Sequence, residues 1–121
     1  MSYQFVLTTV ASLKDARALA SKILRHKLAA CVTVSSPVES HYEWKGKLCR
    51  EKEYQLFIKT RGALYASLES FIRKHHTYDV PEIIALPIVK GSSNYLSWLS
   101  AQTRQKGMKR SGLKGAKAKQ Q

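Results

Sequence analysis

Residues 82–89, EIIALPIV, are apolar in both of the phases that a β-strand presents to its surroundings. Ile83, Ala85, Pro87 and Val89 fall in one phase, and Ile84, Leu86 and Ile88 in the other. Successive side chains of a strand point to opposite faces, so such a strand is stable only where apolar material covers it on both sides. Two other stretches share the property: residues 3–10 have apolar side chains in both phases, and Phe57 stands out of phase with Leu56 and Ile58. A sheet built from these strands has no face suited to water.

The remaining periodicities say how little there is to cover it. Ser12 followed by Asp15 has the spacing of a capping box, and Ala16, Leu19, Ala20, Ile23, Leu24 and Leu28 recur at helical spacing, which predicts a helix ending near Leu28. Residues 29–44 return to a two-residue period broken at Pro37, a sign of a bulge or an unpaired edge. Lys45-Gly46 supplies a tight turn, and residues 48–60 form the returning strand, with Glu39 opposite Lys52. Thr60 is then expected to cap a second helix with Leu64, Leu68, Phe71 and Ile72 as its apolar stripe, stopped by Pro81. Residues 82–89 are the last strand, and Ser92 or Ser93 caps a short final helix bearing Tyr95, Leu96, Trp98 and Leu99.

The order strand, helix, strand, strand, helix, strand predicts an α+β, ferredoxin-like βαββαβ fold with an extra C-terminal helix and an antiparallel sheet. Right-handed crossovers put both long helices on one face, so the second face is left bare. An apolar face of that extent marks an interface, and association of subunits through their sheets is expected, with the long hairpin reaching a neighbour. The alternative is that the short last helix covers the second face alone.

Net charge is +13 over 121 residues, but residues 104–121 hold seven cations and no acid, which leaves +6 on the rest. Residues 1–103 are therefore read as one domain and 104–121 as a basic tail too poor in large apolar side chains to order itself. Only Cys31 and Cys49 are present, both in expected strands, which suits packed thiols in a reducing compartment. The first residues lack a cationic leader before a long apolar run, and no stretch approaches the ~18 apolar residues that span a bilayer. A cytoplasmic protein with no membrane partner is expected.

The stretches LAACVTV, YEWKGKL, FIKT, HHTYDVPEIIALPI and YLSWL, in that order and spacing, resemble the CutA family of divalent-cation tolerance proteins over roughly residues 4–101. The resemblance implies a tight homotrimer with sheets inward and helices outward, and a role in tolerance of metal ions. It also implies weak binding of Cu²⁺ or another divalent ion by the histidine pair, His75 and His76. The cysteine that the family adds to that pair does not carry over, since Thr8 stands in its place, and Thr77 follows the second histidine where the family has proline.

On spacing alone the pair is a poor chelate. Neighbouring helical residues point about 100° apart, and no H-x-x-x-H, C-x-x-C or clustered carboxylate set accompanies them. In the purely structural reading, His75 continues the line of Leu64, Leu68 and Phe71 while His76 meets the helix C-terminal carbonyls. A second candidate site lies among the polar groups embedded in aromatics, Tyr42, Trp44, Lys47, Glu53, Lys59, Tyr78, Glu82 and Trp98, with Trp44, Lys47, Lys59, Tyr78, Glu82 and Trp98 as the expected ligand contacts. Their family equivalents lie near clefts between subunits, resembling the places where PII signalling trimers hold anionic ligands, and the two lysines would receive a carboxylate or phosphate there. The alternative is that Lys47 is a solvated turn residue and that Trp44 and Trp98 are packing anchors at the interface. Enzymatic chemistry has little support: there is no G-x-S-x-G elbow and no phosphate loop, and Asp15 and Asp79 are the only aspartates. Cys31, between Ala30 and Val32, is expected to be buried and inert. Nucleic-acid binding is confined to the tail, because LCREKEYQLFIKT lacks the glycine-aromatic pattern of RNA-recognition strands. The reading is thus a trimeric, non-enzymatic binding protein linked to copper tolerance, with a PII-like sensor of an anionic small molecule as the alternative.

Overall fold

The computed structural model describes residues 2–104, so the tail expected at 104–121 lies, beyond Arg104, outside the described residues. The elements in chain order are β1 (Tyr3–Val10), α1 (Leu13–Arg25), β2 (Cys31–Val34), β3 (Val38–Trp44), β4 (Lys47–Arg61), a 3₁₀ turn (Gly62–Leu64), α2 (Tyr65–His75), β5 (Ile83–Pro87) and α3 (Ser93–Gln102). The sheet runs β2-β4-β1-β5 with every pairing antiparallel, and β3 pairs with the outer half of β4.

Local chemistry accounts for most boundaries. The Asp15 amide donates to Ser12 Oγ at 3.0 Å, which fixes the start of α1. The helix stops at Arg25, three residues before Leu28, because Lys27 takes a left-handed backbone (φ 58°). The Leu28 amide then reaches the Ile23 carbonyl and the Lys27 amide the Leu24 carbonyl, the two bonds of a Schellman motif, with lysine where glycine is usual. Lys45 (φ 51°) and Gly46 (φ 79°) both have positive φ, as a type I′ turn needs, and the hairpin register puts Glu39 opposite Lys52 as expected. At Pro37 the expected break is a bulge. Val34 faces Leu56 and Val38 faces Glu53, so three residues oppose two. Ser35 closes the gap, its Oγ accepting from the Gln55 amide at 2.9 Å.

Thr60 does not cap the second helix. β4 runs on through Arg61, the Gly62 amide pairs with the Ser2 carbonyl, and α2 begins only at Tyr65 with no side-chain cap. Thr60 is instead buried, and its hydroxyl donates to the Leu28 carbonyl at 2.7 Å, tying the end of the first crossover to the sheet. The last strand is shorter than expected, ending at Pro87. Ser92 rather than Ser93 caps α3.

Val6, Val10, Leu56 and Ile58 pack under Ala16, Leu19 and Ile23 of α1 and Leu68 and Ile72 of α2, forming the core between helices and sheet. Thr8 sits among them at 0 % exposure, and its hydroxyl has no hydrogen-bond partner among the described residues. An unsatisfied buried hydroxyl costs roughly 1–3 kcal/mol. The isosteric Thr8→Val is expected to stabilise the protein by about 1 kcal/mol in urea unfolding, and a loss of stability would show that the hydroxyl is satisfied in solution.

The opposite face carries Phe5, Leu7, Phe57, Ile84 and Leu86. Phe5 and Phe57 stack at 5.6 Å, while Ile84 and Leu86 are 48 % and 53 % exposed. α3 closes one end of this face: Tyr3 and Ser100 hydroxyls meet at 2.9 Å, and Arg61 donates to Thr103 through Nε at 2.7 Å and Nη2 at 2.9 Å. The short helix therefore covers part of the second face and leaves its apolar centre open. Cys31 and Cys49 are free thiols, and Cys31 is half-buried rather than enclosed. No helix among the described residues is long and apolar enough to cross a membrane.

Candidate functional site

α2 ends at His75, and His76 leaves it in an extended conformation (ψ 150°), so the two rings diverge. His75 is exposed and packs on Phe71 with ring centroids 4.2 Å apart, and Phe71 meets the His26 ring on its other side at 4.9 Å. Desolvation of the His75 ring, followed by the charges of Lys22, Lys74 and His26, holds its pKa below the ordinary imidazole value. His76 turns inward instead. Its Nε2 lies 2.7 Å from the Thr9 carbonyl, which only accepts, and its Nδ1 lies 3.0 Å from the Tyr78 amide, which only donates. The ring is therefore the neutral tautomer with the proton on Nε2, and both nitrogens are occupied.

The two histidines, with Asp15, Lys22 and Thr77, border one small cleft of about 110 Å³, room for an ion and water but not for a metabolite. Among the described residues, no group of three or more histidine, cysteine, aspartate or glutamate side chains is placed to hold a metal ion. The described residues of one chain thus offer no ready-made cage, and His76 joins His75 only by giving up Thr9 and Tyr78. Thr8 is not part of this cleft. Its position in β1 points it into the core with Val6 and Val10.

The second set of candidates does not converge within one chain. Lys47 opens β4 opposite Trp44, whereas Lys59 lies near its far end opposite Phe5 and Cys31, about 40 Å away at the rise of an extended strand. Trp98 is on α3 beside Tyr95, at 5.5 Å, and Glu82 is exposed just before β5. Trp44 and Tyr78 do border one cavity. The Tyr78 hydroxyl donates to Glu53 Oε2 at 2.7 Å, and Glu53 is 7 % exposed. Burial, then the hydrogen bond to Glu53 and its charge, push the Tyr78 phenol far above its usual range. The sequence pattern gave no signal for Thr9, whose contribution is a backbone carbonyl, nor for Glu51 and Asp79, which reach the Trp44 cavity from segments 28 residues apart.

The class defined by these features is an antiparallel α+β domain with one sheet face covered by helices and the other left apolar. The chain belongs to the CutA1 divalent ion tolerance protein family, whose model matches residues 4–102. It is 46 % identical over 99 residues to the chloroplastic protein CutA of Arabidopsis thaliana, a match covering 82 % of this chain and 54 % of that protein. The chain spans about half the length of the chloroplastic relatives it matches. The crystal structure of CutA1 from Oryza sativa superposes with a TM-score of 0.84 at 42 % identity, covering 88 % of this chain and 97 % of that one. The periplasmic divalent cation tolerance protein CutA of Archaeoglobus fulgidus superposes at 0.82 with 32 % identity, covering 84 % and 99 %. Relatives are thus named for the chloroplast and the periplasm, compartments other than the cytoplasm expected from cysteine usage.

Proposed function

We propose that this chain acts as a homotrimer, a non-enzymatic binding and regulatory protein linked to divalent metal-ion tolerance, copper included. The observation that carries the reading is the apolar second face: Phe5, Leu7, Phe57, Ile84 and Leu86 form a continuous patch that α3 leaves uncovered. The sheet order β2-β4-β1-β5 fits a ferredoxin-like protomer, and burying that patch against two further copies removes it from water. The metal link is supported by the description of the family and by the exposed imidazole of His75.

In this reading the ion is cargo held weakly at the surface. His75 supplies the first nitrogen, and His76 supplies a second when it exchanges its bonds to Thr9 and Tyr78 for the metal. A soft-donor site is not part of it, since a hydroxyl stands at Thr8. The cytoplasm is the proposed compartment because both thiols are free.

Two measurements test the reading separately. Light scattering at micromolar concentration is expected to give three times the 13.7 kDa chain mass, and a single-chain mass removes the assembly. Titration with Cu²⁺ is expected to show weak binding that is lost in the His75→Ala, His76→Ala double variant. Binding that persists in that variant removes the metal assignment and leaves the assembly standing.

A further inference from the structure

The hairpin of β3 and β4 has two chemically different faces. Register pairs Val38 with Glu53, Ser40 with Glu51, Tyr42 with Cys49 and Trp44 with Lys47, and these residues share one face. Arg50 and Lys52 belong to the other, where Glu39 lies 3.6 Å from Arg50. The connection between α2 and β5 folds over the first face, anchored by the hydrogen bond from Tyr78 to Glu53. Tyr42, Trp44, Glu51, Tyr78, Asp79 and Val80 line a cavity of about 350 Å³ there, at the lower end of the size range of small-molecule sites.

Its chemistry is the reverse of the chain's. Lysine and arginine outnumber aspartate and glutamate by 21 to 8 in the whole sequence, yet none of the described residues lining this cavity is basic. Three aromatic side chains and two carboxylates meet in it, with the buried carboxylate of Glu53 behind Tyr78. Tyr42 and Trp44 are 43 % and 45 % exposed as residues, so they are available to a ligand rather than consumed by the core. An anion entering here meets two carboxylates, with the charge of a third behind Tyr78. A cation meets ring faces whose quadrupole attracts it and carboxylates that neutralise it.

We infer that this cavity binds an alkylated ammonium ion, its methyl groups against Tyr42, Trp44 and Tyr78 and its charge facing Glu51 and Asp79. A small inorganic cation gains less, because it keeps its water shell and makes no apolar contact with the rings. The alkylated ion is weakly hydrated and presents carbon to every wall. The Tyr78 hydroxyl is already committed to Glu53, so that residue contributes its ring and holds the connection in place.

The test uses the full chain in whatever assembly it forms, with light scattering on the same sample so that the oligomeric state is read independently. Choline chloride is titrated against it at constant ionic strength, followed by saturation-transfer NMR of the N-methyl signal and by tryptophan fluorescence. The uncharged carbon isostere 3,3-dimethyl-1-butanol is titrated in parallel. Saturable choline binding is expected, at least tenfold tighter than the isostere. Glu51→Gln, an exposed and nearly isosteric change, is expected to weaken it several-fold, and Trp44→Leu at least tenfold, with circular dichroism unchanged. Equal binding of choline and isostere, unaltered affinity in both variants, or no saturable choline binding would each overturn the inference.

Discussion

Leu86→Glu is expected to convert the proposed trimer to single chains. Leu86 lies on β5 at the edge of the sheet, opposite Phe5, and is 53 % exposed in the protomer. A glutamate there remains hydrated in the isolated chain, so the fold is not threatened. In the proposed trimer the same position faces a partner's apolar sheet, and three carboxylates would have to be dehydrated without counter-ions, a cost of several kcal/mol per charge after relaxation. Light scattering at micromolar concentration should therefore fall to the mass of one chain while far-ultraviolet circular dichroism is preserved. A variant that keeps the wild-type mass places the interface elsewhere.

Ile58→Ala has the largest expected effect on stability itself. Ile58 is at 0 % exposure on β4, flanked by Val6 on β1 and Val32 on β2, directly beneath the two long helices. Deleting three carbons at a site held on both sides by strands leaves a cavity that cannot easily collapse, for which about 3–4 kcal/mol is expected. A domain of this size has roughly 5–15 kcal/mol in total, so the variant should unfold at markedly lower urea. The comparison must be made at one protein concentration, because any assembly adds to the apparent stability. Ile58→Val should cost only about 1 kcal/mol, and a similar cost for both would mean that the packing around Ile58 is loose.

Much of the architecture is legible in the sequence because it follows from local rules. The period-two stretches, the Ser12 and Ser92 caps, the Lys45-Gly46 turn and the break at Pro37 each act over a few residues, and each has its place in the structure. The features that depart from local rules depend on distant partners. Thr60 resembles a helix cap in sequence, but its hydroxyl is claimed by Leu28, 32 positions earlier. α1 ends early because Lys27 enters a left-handed conformation that lysine does not advertise. At the candidate sites the same distinction holds. His75 continues the apolar line to Phe71, as spacing suggests, whereas the engagement of His76 by the backbone of Thr9 has no sequence signature. Of the six residues grouped as an anion site, Trp44 and Tyr78 border one cavity, and register along β4 reveals how far apart Lys47 and Lys59 are.

β4 itself has a consequence for how this molecule breathes. From Leu56 to Lys59 its backbone is bonded to strands on both sides, whereas from Lys47 to Glu53 it has β3 alone. One uninterrupted strand thus joins a region that opens only with the entire domain to an arm that can detach locally. A ligand or neighbouring subunit that grips the arm acts on the cheaper of the two motions, and its binding energy is spent on quieting the tip rather than on holding the domain together.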